Sequence, residues 1–159
     1  MKHLLIILTL VGLVACISKE EKFIQAEFDK IEGIWIISNF KIAGDVRPEL
    51  KTYIKTAAIE FGACRYKKKA FDNNTVCGGN IDINGEISGV GYTYNVSTSR
   101  YELTFGLPAS QAGIIKDNLV ATLTGSYQID IDGNKMTAVQ KSNKNYPGVI
   151  EVSFTATRK

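Results

Sequence analysis

In one short run after another, apolar and polar residues alternate at every second position, a period that suits half-buried strands and not helices. Residues 57–66 place Ile59, Phe61 and Ala63 on one face. Residues 77–83 lead into Asn84-Gly85, the strongest two-residue hairpin signal, and residues 86–96 return with Val90, Tyr92, Tyr94 and Val96 aligned. After a turn at residues 97–99, Tyr101, Leu103 and Phe105 oppose Glu102 and Thr104. Residues 119–131 read as the cleanest strand, with Leu119, Ala121, Leu123, Gly125, Tyr127, Ile129 and Ile131 on one side. Asp132-Gly133-Asn134 turns the chain into residues 135–141, and Tyr146-Pro147-Gly148 into a last strand carrying Ile150, Val152, Phe154 and Ala156. With residues 33–42 this makes eight strands, joined mostly by short turns. The expected class is all-β: an eight-stranded antiparallel up-and-down barrel, with Gly89, Gly91 and Gly125 letting the strands coil tightly. A β-sandwich is the runner-up, because alternation does not distinguish closure from two stacked sheets.

One or two short helices accompany the strands. Ser18 with Glu21 three residues on is a capping-box pattern, and Ile24, Phe28 and Ile31 recur at helical spacing. Pro48-Glu49-Leu50 opens a second short helix, or an irregular lid across a barrel mouth. Leu107-Pro108 breaks the alternation, and a short helix around Ile114 and Ile115 is expected before the strand at 119. The first strand, residues 33–42, has apolar residues on both faces, which predicts cover on each side.

The N-terminus belongs to a different kind of segment. Met1-Lys2-His3 precedes an apolar run from Leu4 to Val14, which ends at Leu13-Val14-Ala15-Cys16 and is followed at once by Lys19 and Glu20. A basic start, an apolar stretch of this length and small residues before a cleavage point make a signal peptide, too short to span a membrane. Leu-Val-Ala-Cys resembles the lipobox of bacterial lipoproteins, in which the cysteine becomes the first residue and carries acyl chains. The resemblance implies lipidation of Cys16 and a cell-envelope location, anchored to the outer membrane on its periplasmic or surface face, with the lipid bilayer as a partner. An ordinary secretory signal, with Cys16 a small residue near the cleavage site, is the alternative. Lys19-Glu20-Glu21 resembles the acidic tethers of surface-displayed lipoproteins, and a helix start accounts for the same residues. The organisation is then a signal peptide at 1–15, a tether and short helix at 16–32, and the barrel domain at 33–159.

With Cys16 assigned to lipid, Cys64 and Cys77 are left as a pair in an oxidising compartment. A bridge would close a loop of about 14 residues, worth about 3 kcal/mol in the chain-entropy model. A metal site is not expected: the pair lacks further ligands, and the one histidine, His3, leaves with the signal peptide. No histidine in the mature chain also means no Ser-His-Asp or Cys-His nucleophile and no imidazole base, so the chain reads as a non-enzyme with no cofactor. The formal charge of +3 falls by one when Lys2 is removed. Arg65-Tyr66-Lys67-Lys68-Lys69 is a single basic cluster that reads as a solvated loop, so no nucleic-acid partner is expected.

Gly33-Ile34-Trp35 after a short helix, opening the first long strand, resembles the start of the lipocalin fold and of the lipocalin-like domains of small bacterial lipoproteins. Gly125-Ser126-Tyr127-Gln128-Ile129 with the Asp132-Gly133-Asn134 turn resembles the same group. The resemblance implies that Trp35 closes one barrel end, with Arg158 stacked on it through a cation–π contact. It also implies an interior that holds a small hydrophobic ligand, lined by Phe61, Tyr92 and Tyr94 from the first half of the chain, and by Leu103, Phe105, Tyr127 and Phe154 from the second. The alternative carries equal weight: these side chains fill the barrel themselves, and the protein is an interaction module for an envelope protein partner. Its protruding stretches would then be the Cys64–Cys77 loop and Asn143-Lys144-Asn145-Tyr146.

Overall fold

The computed structural model describes residues 18–44, 48–67, 75–106, 114–143, 145 and 150–159. Cys16, Lys68 and Lys69 of the basic cluster, Leu107-Pro108, Lys144 and Tyr146-Pro147-Gly148 lie outside them. The elements are α1 (Lys19–Ile31), β1 (Gly33–Gly44), α2 (Pro48–Tyr53), β2 (Ala57–Phe61), β3 (Cys77–Ile83), β4 (Glu86–Asn95), β5 (Arg100–Phe105), α3 (Ile114–Leu123), β6 (Gly125–Asp132), β7 (Lys135–Ser142) and β8 (Ile150–Arg158). Each strand pairs antiparallel with the next, and β8 pairs with β1. The result is a closed eight-stranded up-and-down barrel, which decides against the sandwich.

Local chemistry sets these elements. The capping box of α1 is formed in both directions: the Glu21 N–H donates to the Ser18 hydroxyl at 3.1 Å, and the Ser18 N–H donates to the Glu21 carboxylate at 2.8 Å. Ile24, Phe28 and Ile31 are the face it buries. The β3–β4 hairpin turns on Asn84 and Gly85, at φ of 56° and 84°, the left-handed pair a two-residue type I′ connection requires. The Asn84 side chain also accepts from the N–H groups of Lys55 and Thr56, at 2.8 and 3.1 Å, and donates to the Tyr53 carbonyl at 2.7 Å. The turn thereby fastens the end of α2. Cys64 and Cys77 are disulfide-bonded, with Cα atoms 5.6 Å apart, joining the segment after β2 to the start of β3.

Three expectations need correction. Residues 119–131 are not one strand: α3 runs to Leu123 and β6 begins at Gly125. Leu119 and Leu123, read as alternating, are also one helical turn apart, and both are buried. β1 is not covered on both faces, since Ile34 and Ile36 are 40% and 46% exposed while Trp35 and Ile37 face inward. A β-bulge between Ile37 and Asn39 then shifts the phase, so that Phe40 and Ile42 pack on the core while Asn39 and Lys41 face out. Finally, the strand glycines are not equivalent. A Cβ on Gly89 would meet nothing within 4 Å, whereas one on Gly125 would lie 2.3 Å from the Ser142 carbonyl oxygen. Gly125→Ala should therefore cost about 1–3 kcal/mol by forcing β6 and β7 apart, while Gly89→Ala should leave stability within about 0.5 kcal/mol. Urea unfolding midpoints of the two variants check this.

Candidate functional site

The barrel has two ends, and the side chains between them were the sequence candidates for a ligand site. At the first end, α1 lies against Trp35, whose indole N–H donates to the Ile31 carbonyl at 2.8 Å. The Arg158 guanidinium sits 4.5 Å from the Trp35 ring centroid and donates to the Lys30 carbonyl at 2.6 Å. A cation and an indole thus receive the last carbonyls of α1, where the helix dipole is negative. Inside this end Phe28 meets Tyr92 edge-on at 5.9 Å, Phe61 meets Tyr92 at 5.1 Å, and Tyr94 meets Tyr101 at 5.0 Å. The Tyr92 hydroxyl donates to the Gly62 carbonyl, and the Tyr101 hydroxyl donates to the Glu27 carboxylate at 2.7 Å.

The second end is closed by α3. Its last carbonyls accept from the strand that faces them: Gln140 Nε2 donates to the Thr122 and Leu123 carbonyls at 3.1 and 3.3 Å, and Asn143 Nδ2 donates to Thr122 and Ala121 at 2.7 and 3.2 Å. The Tyr127 hydroxyl donates to the Leu123 carbonyl. Asn143, expected in a protruding turn, is instead buried in this clamp. Between α2, α3 and the β3–β4 hairpin a mostly apolar crevice remains, lined by Tyr53, Ile81, Ile83, Phe105, Leu119 and Leu123, with Glu86 and Ser88 among its polar lining groups. Its volume is about 30 Å³, space for roughly one or two water molecules.

The seven ligand candidates are all buried but do not surround one space. Phe61, Tyr92, Tyr94 and Leu103 pack in the half of the barrel under α1. Tyr127 and Phe154 lie on the opposite wall at 6.3 Å, with Phe40 stacked on Phe154 at 5.7 Å. Phe105 alone lines the crevice. The rest of that lining comes from α2, β3, β4 and α3; Leu119 and Leu123 were read as part of a strand, and alternation gave no signal that two helices cross the mouth. Tyr101, a strand neighbour of the candidates, fills the core beside Tyr94. The larger depressions among the described residues are open: one runs past Lys41, Thr137 and Thr155, one lies where β7 and β1 end, with Lys141, Ser142 and the buried Gln140 and Asn143 in its lining, and one lies beside α2, past Thr52, Lys55 and Asn84.

Burial holds the phenols neutral. It pushes Tyr92 up to about 12, with Glu32 adding to the shift. Tyr101 rises further, through burial and then its bond to Glu27, and Tyr127 rises through burial. These groups act as hydrogen-bond donors at neutral pH. No family model, curated protein or solved structure matches the chain. What the fold and its interior define is a class: a closed eight-stranded up-and-down barrel with a helix at each end and a core of its own aromatic side chains.

Two outcomes are expected. The unfolded Tyr92 phenol loses its proton from about pH 10 while the folded one keeps it to about 12. The unfolded state then binds fewer protons, so the contribution of Tyr92 to stability is fully present below pH 10 and is lost from there to about 12. Denaturant midpoints across that range check this; Tyr92→Phe should make the fall shallower and leave the part that Tyr101 and Tyr127 contribute. Gln140→Ala removes one of the two donors that each of the Thr122 and Leu123 carbonyls receives and should cost about 0.5–1.5 kcal/mol, read as a loss of amide-exchange protection centred on α3.

Proposed function

We propose that this protein is a lipid-anchored envelope protein of lipocalin-like architecture that works as a non-enzymatic interaction module, its barrel filled by its own side chains. One observation carries the choice between module and carrier: among the described residues the interior is packed. Trp35, Tyr92, Tyr101, Tyr127, Phe28 and Phe61 are each less than 2% exposed. The crevice at the α2–α3 end, about 30 Å³, is an order of magnitude below the roughly 300–1,000 Å³ of sites that enclose a small molecule. Anchoring through Cys16 rests on the Leu13-Val14-Ala15-Cys16 pattern, and the lipocalin likeness on Gly33-Ile34-Trp35 with Arg158 over the Trp35 ring. A second reading keeps a small apolar ligand, seated at the α2–α3 mouth, and the lining of that crevice supports it.

Native mass spectrometry of the full chain, extracted from bacterial membranes in mild detergent, separates the two. The module reading expects the polypeptide mass plus covalently bound acyl chains, unchanged by organic extraction and by added palmitate. A stoichiometric mass that extraction releases would establish the carrier reading in its place. Phe105→Ala should lower stability by about 3–5 kcal/mol, as for a filled core; in a carrier its main effect would be loss of the releasable mass. Cys16→Ala should abolish the acyl mass and move the protein from the detergent-rich to the aqueous phase.

A further inference from the structure

The proposed anchor and the fold together fix an orientation. Only Ile17 separates Cys16 from Ser18, and Ser18 is the N-cap of α1. Two residues reach at most about 7 Å even when fully extended. The start of α1 is in turn fastened to the barrel. Gln25 Nε2 donates to the Cys64 carbonyl at 2.9 Å, and the Tyr66 N–H donates to Gln25 Oε1 at 2.9 Å. Cys64 is bonded to Cys77 of β3. On the other side of the helix, the Phe23 ring meets Tyr94 at 5.7 Å, and Ile24 is buried. With one residue between the acylation site and the N-cap of α1, the surface around the start of α1 must lie at the depth of the lipid headgroups.

That surface has the chemistry of a membrane interface. Phe23 is 46% exposed although its ring already touches Tyr94, and Val96, two residues beyond Tyr94 in the β4–β5 turn, is 40% exposed. Lys19 and Lys22 on α1, with Arg65 and Lys67 on the segment that Gln25 holds, are exposed cations at the same end, interleaved with Glu20 and Glu21 of the first turn of α1. Apolar groups flanked by lysine and arginine suit a phospholipid surface, where the cations are drawn to anionic headgroups. We infer that the α1 end of the barrel rests on the phospholipid bilayer through Phe23, Val96 and these cations, and that the α2–α3 mouth points away from the membrane. This orientation depends on the acylation of Cys16 proposed above.

Depth-dependent fluorescence quenching tests it. The full-length acylated protein is reconstituted into phosphatidylethanolamine–phosphatidylglycerol vesicles whose acyl chains carry bromine. Phe23→Trp and Val96→Trp report on the α1 end, and Ile87→Trp, at an exposed position on the β3–β4 hairpin, reports on the far end. Trp35, fully buried, is the common background. The expected result is that tryptophan at 23 and at 96 is quenched at least twofold more than at 87. Equal quenching at all three, or stronger quenching at 87, in protein that floats with the vesicles overturns the orientation and leaves the anchor standing. An intact mass without acyl chains overturns both. Two reporters at the α1 end keep the test open if one variant folds poorly.

Discussion

The pairing of β1 with β8 is the contact on which the rest of the barrel depends. It joins the first strand of the sheet to the last and removes both free edges at once. β1 can make this contact because it bends. Its first half faces the interior with Trp35 and Ile37; after the bulge at Ser38 its second half does so with Phe40 and Ile42. An unbroken strand would turn Asn39 and Lys41 inward, and burying a lysine without a partner would cost more than the pairing returns. The bulge also leaves Ser38 free to bond to Thr155 of β8, at 3.0 Å.

Closure creates a problem at each mouth, where a helix must end against an apolar interior with its last carbonyls short of partners. Both ends solve it in the same way, with donors carried on strands. Trp35 and Arg158 serve Ile31 and Lys30 at one end. Gln140, Asn143 and Tyr127 serve Thr122, Ala121 and Leu123 at the other. These donors belong to β1, β8, β7, β6 and the residue following β7, so each helix is held only once the strands around it are paired. The ends of the barrel and its wall are therefore one cooperative unit.

This coupling explains what could be read from the residues and what could not. Strand number, the Asn84-Gly85 turn, the cap of α1 and the Cys64–Cys77 bridge rest on interactions within a few residues or on counting, and each is visible in sequence. α3 is not: Leu119, Val120 and Leu123 fit a strand and a helix equally well, and the decision falls to Gln140 and Asn143, some twenty residues downstream. The two faces of β1 were misjudged for the complementary reason, since Ile34 and Ile36 look like core and only closure shows that they face outward. The aromatic candidates were correctly placed on inward faces, yet period two carries no information on whether a ring borders a cavity or another ring. That depends on which residues oppose one another across the barrel.

The opposition is close. Tyr92 is pinned between Phe28 and Phe61, and its hydroxyl reaches past them to the Gly62 carbonyl beside the bridged cysteine. Opening a chamber there would separate rings that are in edge contact and strand a phenol away from its acceptor, two costs that a small apolar ligand with no hydrogen-bonding group could offset only in part. At the α2–α3 end the bonds among the described residues gather around the terminus of α3, and the crevice itself is bridged by the Tyr53 hydroxyl donating to the Glu86 carboxylate at 3.4 Å. The two ends thus have different mechanical characters. The α1 end is held by ring contacts and phenol bonds that cross it, the α2–α3 end by donors gathered at the last turn of α3.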